Sequence, residues 1–163
     1  MEHEKILYVE KCLKDASSVT PTATLTLPFE LRQKSRQRVQ LDEGAEVGLF
    51  LPRGLILQDG DVLEAENGLL IAVKAAPEIV SIARTQNVLL LLRACYHLGN
   101  RHVPIQIAAK HLIYRHDPAL DELMHGFGLT VTRETAKFEP EAQVEQPGES
   151  RMPEHMTRAG TPR

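Results

Sequence analysis

A nearly continuous apolar run, Val88-Leu89-Leu90-Leu91-Leu92-Arg93-Ala94-Cys95-Tyr96-His97-Leu98, halts at Gly99-Asn100 and gives way to Val103-Pro104-Ile105-Gln106-Ile107-Ala108. The run has the length of a helix, and Thr85-Gln86-Asn87 ahead of it supplies capping side chains. Val88, Leu91, Cys95 and Leu98 recur at helical spacing, while Leu89, Leu90 and Leu92 widen the stripe almost round the cylinder. A helix that apolar needs cover on more than one side, from its own sheet and from a second subunit. Gly99 and Asn100, the residue types that most readily take positive φ, are expected to close it through a left-handed residue. Pro104 drives Val103 into the extended region and removes a backbone donor, which favours a strand start or edge. His102 is restricted from both sides, so the fold aims its imidazole, and a metal ligand is best presented in that way.

The chain around this turn divides by pattern. Up to about Ala76 there are only strand and turn signals: Ile6-Leu7-Tyr8-Val9, the alternating Thr22-Ala23-Thr24-Leu25-Thr26-Leu27, Val39-Gln40-Leu41, Val47-Gly48-Leu49-Phe50-Leu51, Val62-Leu63-Glu64-Ala65 and the run 69–73. Short strands about ten residues apart predict a small sandwich or barrel. Arg32, Lys34, Arg36 and Arg38 alternate in 31–38, so an extended chain would line four cations along one face. That face suits an acidic or phosphate-bearing partner. The plainer reading is a solvated edge strand guarded by charge, and no aromatic residue interleaves to stack bases.

Composition changes after Ala75-Ala76-Pro77, where the domain boundary is expected. Beyond it come a strand at Glu78-Ile79-Val80-Ser81-Ile82-Ala83, the apolar helix, the strand through Ile105, and a paired strand at His111-Leu112-Ile113-Tyr114-Arg115. Asp117-Pro118 then starts a second helix, with Leu120, Leu123, Met124 and Phe127 on its inner face, and Leu129-Thr130-Val131-Thr132-Arg133 is the last strand. The order strand, helix, strand, strand, helix, strand is the ferredoxin-like split βαβ plan. The predicted organisation is α+β: an all-β domain over 1–76, a ferredoxin-like domain over 77–138 and a disordered tail over 139–163.

A net charge of −3 argues against a general nucleic-acid binder, and no apolar stretch approaches a membrane span. The start has no signal-peptide pattern, so a cytoplasmic protein is expected. Cys12 and Cys95 form no C-x-x-C pair, which leaves neither a disulfide framework nor a zinc finger. Six of seven histidines lie beyond the β-rich half, at 97, 102, 111, 116, 125 and 155, and no H-E-x-x-H, G-x-S-x-G or P-loop accompanies them. Imidazole suits divalent nickel, copper and zinc. One His102 is a poor site, but a two-fold axis beside the turn would bring two together, and the tail's His155 could join or leave. Each histidine also has a structural reading. His97 can favour the helix C-terminus, His111 and His125 fit strand and helix surfaces, His116 fits a turn, and Cys95 fits the core.

The segment His97-Leu98-Gly99-Asn100-Arg101-His102-Val103-Pro104-Ile105-Gln106 resembles the hallmark of the UreE family of urease accessory proteins, the nickel metallochaperones of urease maturation. Arg53-Gly54, Leu57-Gln58-Asp59-Gly60-Asp61 and Phe138-Glu139-Pro140-Glu141 extend the resemblance over most of residues 1–138. It implies a first domain similar to a chaperone peptide-binding domain and a metal-binding domain through which two subunits dimerise. The implied protein is not an enzyme but a homodimer that holds Ni(II) at paired His102 side chains. It would deliver that ion to the accessory GTPase within a complex containing apo-urease. His116 matches the first histidine of an auxiliary His-x-His pair, but Pro118 replaces the second. His155 is the best tail candidate, by role and approximate location rather than by motif match. Zinc and copper are the expected competitors, and binding should weaken as pH falls through the ordinary histidine range, near about 6.5. The alternatives are a metal-dependent hydrolase built on the histidines and a partner-binding module in which the basic stretch acts.

Overall fold

Alternation builds the first half. The computed structural model of the chain describes residues 6–14 and 16–142. Its first strands are β1 (Leu7–Leu13) and β2 (Ala23–Leu27), and in β2 the residues Ala23, Leu25 and Leu27 are buried between half-buried threonines. A helical turn, α1 (Phe29–Arg32), precedes β3 (Arg36–Gln40), β4 (Glu46–Phe50), β5 (Val62–Ala65) and β6 (Leu70–Ala75). The six strands form one sheet in the order β2-β6-β5-β1-β4-β3, with β1 parallel to β4 and β2 parallel to β6. The Asp42 N–H donates to the Thr24 carbonyl at 2.9 Å, so the two ends of the sheet curl towards each other. Leu25, Leu49, Leu57, Leu63 and Ile71 fill its interior with aliphatic side chains.

The extended reading of 31–38 fails at its first cation. Arg32 closes the α1 turn and is 1% exposed, so it shares no face with Arg36 and Arg38. Its Nε donates to the Leu27 carbonyl at 3.1 Å, its Nη1 to Leu57 at 3.0 Å and its Nη2 to the carbonyl of Phe138, far along the chain. A guanidinium presents five donors in a rigid fork, which lets one side chain satisfy carbonyls from three segments. Burial pulls its pKa below the ordinary guanidinium value, and the carboxylates of Glu139, Glu78 and Asp59 pull it back up.

The second half contains β7 (Pro77–Arg84), α2 (Val88–Asn100), β8 (Gln106–Ile107), β9 (His111–Arg115), α3 (Pro118–Gly126) and β10 (Thr130–Lys137). Its sheet is antiparallel in the order β10-β7-β9-β8. Both helix starts are capped by the expected side chains: the Asn87 carbonyl accepts from Leu89 N–H at 3.0 Å and Asp117 from Ala119 N–H at 2.9 Å. Leu91, Ala94 and Leu98 of α2 pack with Met124 of α3 over Ala83, Leu112 and Tyr114. On the other face of the sheet, Val80, Ile82 and Ile113 pack against Phe29 and Phe138, whose rings meet edge to face at 5.5 Å. Thus the second sheet is covered by helices on one side and by α1 on the other.

The stripe on α2 is displaced from the expected one. Val88 lies 63% exposed, and Leu89, Leu92 and Tyr96 are also more than half exposed, while Ala94 takes the buried place. The apolar surplus of this helix therefore faces outward. Residues 139–142, expected to start the tail, are tied into the fold. Glu139 N–H donates to Gln106 Oε1 at 3.0 Å, Asp59 N–H to Glu139 Oε1 at 2.7 Å, and Glu141 N–H to the Ile105 carbonyl at 2.8 Å. Among the described residues no helix is long and apolar enough to cross a membrane.

Candidate metal centre

Helix α2 does not stop at Gly99-Asn100 but runs through both. The left-handed residue is His102 itself, with φ 55°, the one positive-φ position among the described residues that is not glycine. Its N–H donates to the Gly99 carbonyl at 3.0 Å, and the next N–H, of Val103, reaches back to Leu98 at 3.1 Å. These two bonds satisfy carbonyls that the helix end would leave open, and the Val103 and Leu98 side chains join the same apolar cluster. Glycine is the usual occupant of this place, because an L side chain costs roughly 1–2 kcal/mol there. An exposed histidine at that position is a reason to look for function.

His102 stands on the rim between two clefts. The first, of about 610 Å³, is lined by His102, His116, Asp117, Leu120, Arg115 and Arg133 among others. The second, of about 900 Å³, includes His102, Gly99, Ile105, Glu141 and Ala142. His102 and His116 therefore share the first cleft, and the end of the described chain lies in the second.

His116 is half-buried and held at one nitrogen. Its Nδ1 is 3.1 Å from Ser81 Oγ and 3.3 Å from Asp121 Oδ2, and the other oxygen of Asp121 accepts from the Tyr114 hydroxyl at 2.7 Å. Burial, reinforced by the bond to Asp121, pushes the Tyr114 phenol well above its usual pKa and keeps it a donor. A carboxylate at Nδ1 favours the tautomer protonated there and leaves the Nε2 lone pair for a ligand, as in metal-binding histidines oriented by an outer carboxylate. Sequence reading did not find Ser81 or Asp121. Ser81 lies opposite Tyr114 across β7 and β9, so its approach to His116 is visible only once that register is known.

The remaining candidates separate. His97 stacks on Phe127 with ring centroids 4.8 Å apart, a packing role at the last turn of α2. His111 opens β9, and His125 is exposed in the last turn of α3. Cys95 is partly buried against the helical cluster, and burial raises its thiol pKa. His155 lies outside the described residues. Among the described residues no three His, Cys, Asp or Glu side chains come together as a metal-holding group. What one chain provides is two imidazoles on one cleft, that of His116 held by its partners and that of His102 exposed on a fixed backbone.

Comparison with known proteins agrees with both halves. Residues 9–76 match the family model for the UreE urease accessory protein N-terminal domain, and residues 78–160 match that for its C-terminal domain. Proteins named urease accessory protein UreE are similar along most of their length. The one from Alkalilimnicola ehrlichii is 58% identical over 119 residues, covering 73% of each chain. That of an Enterobacter species is 53% identical over 122 residues, covering 74% of this chain and 80% of its own. That of Citrobacter koseri is 49% identical over 138 residues, covering 84% and 90%. These are accessory proteins and not catalysts. With a first sheet, a second helix-covered sheet and both domain models matched in order, the chain belongs to the UreE urease accessory protein family.

Proposed function

We propose that the protein carries Ni(II) as cargo for the assembly of urease, held between the His102 imidazoles of two copies of the chain. The observation that carries this reading is the left-handed His102: an exposed histidine on a strained backbone at a helix end, where glycine would be cheaper. A lone imidazole binds weakly, and a two-fold axis supplies its pair. The exposed face of α2, with Val88, Leu89, Leu92 and Tyr96, supports an interface next to the turn, because it lies on the helix that ends there. In this reading the second half is a ferredoxin-like metal-binding and dimerisation domain over 77–138, and the first, over 1–76, is a peptide-binding-like domain.

His155 is proposed as a further ligand, supported by the position of Ala142 in the cleft that His102 borders. His116 is proposed as a weaker second site, since Ser81 and Asp121 orient it but Pro118 removes its expected partner. Delivery passes the ion to the accessory GTPase and the apo-urease complex in the cytoplasm, in keeping with two free thiols. Imidazole ligation also admits Zn(II) and Cu(II), so Ni(II) preference depends on geometry and supply.

Calorimetric titration with Ni(II), repeated with Zn(II), tests this on the intact protein, His102→Ala and a chain ending at Ala142. That end point keeps the bonds of Glu139 and Glu141. Loss of the tight site in His102→Ala, with a smaller loss on shortening, is expected. Unchanged affinity and stoichiometry in His102→Ala would remove the proposal.

A further inference from the structure

The basic stretch has a second half that the metal site does not use. Strand β3 ends the first sheet without pairing a further strand, and β2 approaches it only past its C-terminal end, where Asp42 bonds to Thr24 and Thr26. The bonds from Leu51 N–H to Ser35 and from Leu41 N–H to Ala45, both 2.8 Å, set the phase of its pairing with β4. Odd-numbered residues bond inward, so the main-chain N–H and C=O groups of Arg36, Arg38 and Gln40 point to the open edge. Their side chains lie exposed on the outer face of the sheet.

One of these cations is held in a built stack. One edge of the Tyr8 ring packs against Gly48, where any Cβ would come within 2.9 Å of its Cδ1 and Cε1. Phe50 meets Tyr8 edge to face at 5.3 Å, and the Arg36 guanidinium sits 5.6 Å from the Phe50 ring centroid. Arg38 is opposite Gly48 in register. Among the described residues neither Arg36 nor Arg38 has an ion-pair partner. Guarding an edge requires only charge. Here two of the chain's four Phe and three Tyr are spent on an exposed platform that orders an unpaired guanidinium.

We propose that the open edge of β3, backed by Gly48, Tyr8, Phe50 and Arg36, docks an extended acidic segment of a partner protein as an added antiparallel strand. Main-chain bonds to Arg36, Arg38 and Gln40 supply the pairing. Acidic residues two apart in the segment fall opposite Arg36 and Arg38 on the outer face, where opposite charges across strands attract. Recognition thus depends on a period of two in the ligand as well as on its charge.

The test is fluorescence anisotropy of the full chain with a labelled peptide, Thr-Glu-Val-Glu-Val-Glu-Thr. Versions N-methylated at the glutamates or at the valines block opposite main-chain edges. Saturable binding is expected, weakened at least tenfold in the Arg36→Glu/Arg38→Glu variant. One methylation pattern should abolish binding and the other leave it. The same variant should keep its circular dichroism spectrum and its Ni(II) titration, which separates this edge from His102. No saturable binding, equal effects of the two methylation patterns, or tighter binding of a heparin or DNA fragment than of the peptide would each overturn the proposal.

Discussion

At the level of single residues, His102 and Arg32 each sit at odds with their surroundings, one by its left-handed backbone and the other by its buried charge. Replacing His102 by glycine relieves an L-residue cost of roughly 1–2 kcal/mol and adds back part of it as chain entropy, so a net gain of about 0.5–1 kcal/mol is expected. Thermal unfolding should register a higher midpoint in the same variant whose Ni(II) titration loses the tight site. Arg32→Met leaves the carbonyls of Leu27, Leu57 and Phe138 without their donor. A loss of more than about 3 kcal/mol in urea denaturation is expected, since bonds to charged groups are worth about 1.5–3 kcal/mol each. His102 stands out in the sequence because its neighbours restrict it. Its left-handed backbone does not, because Gly99 and Asn100 are the better residues for that conformation. The helix runs past them to bring Val103 onto Leu98, a contact no local propensity reports.

At the level of elements, the two helix caps and most strands could be read from alternation and capping side chains, with ends that differ. β10 reaches Lys137 because it pairs with β7 over its full length, information held by the partner strand and not by its own residues. The α1 turn was missed because Arg32 and Lys34 happen to alternate with Arg36 and Arg38, and a period of two in charge says nothing about burial. On α2 the apolar surplus was legible but its direction was not. Leu92 is 60% exposed, so Leu92→Glu should leave the monomer folded. Sedimentation should show the wild-type chain as a dimer and this variant as a monomer. A dimer unchanged in Leu92→Glu would place the interface elsewhere.

At the level of the whole molecule, acidity and rigidity are linked at the join between the sheets. Asp59 accepts from Ala75 N–H at 2.8 Å and pairs with Lys137 at 3.1 Å, and these partners, the amide first, hold its carboxyl below the usual range. Asp42 is lowered likewise by the hydroxyl of Thr26. For such groups the unfolded chain binds more protons, so stability rises with pH through their window. Their contribution is complete above the ordinary aspartate pKa of about 3.9 and is lost as pH falls through the lower folded values. Urea midpoints should therefore drop below about pH 4, and Asp59→Asn should lower the neutral-pH midpoint and flatten that decline. The same join has a mechanical meaning. Because the Arg32 fork grips both the first sheet and the residue after β10, neither half can pivot without breaking buried bonds. A partner seated on β3 would then stand at a constant distance from the His102 turn. Transfer of an ion to it would be a matter of reach and alignment, set in advance by one arginine, and not of domains searching for each other.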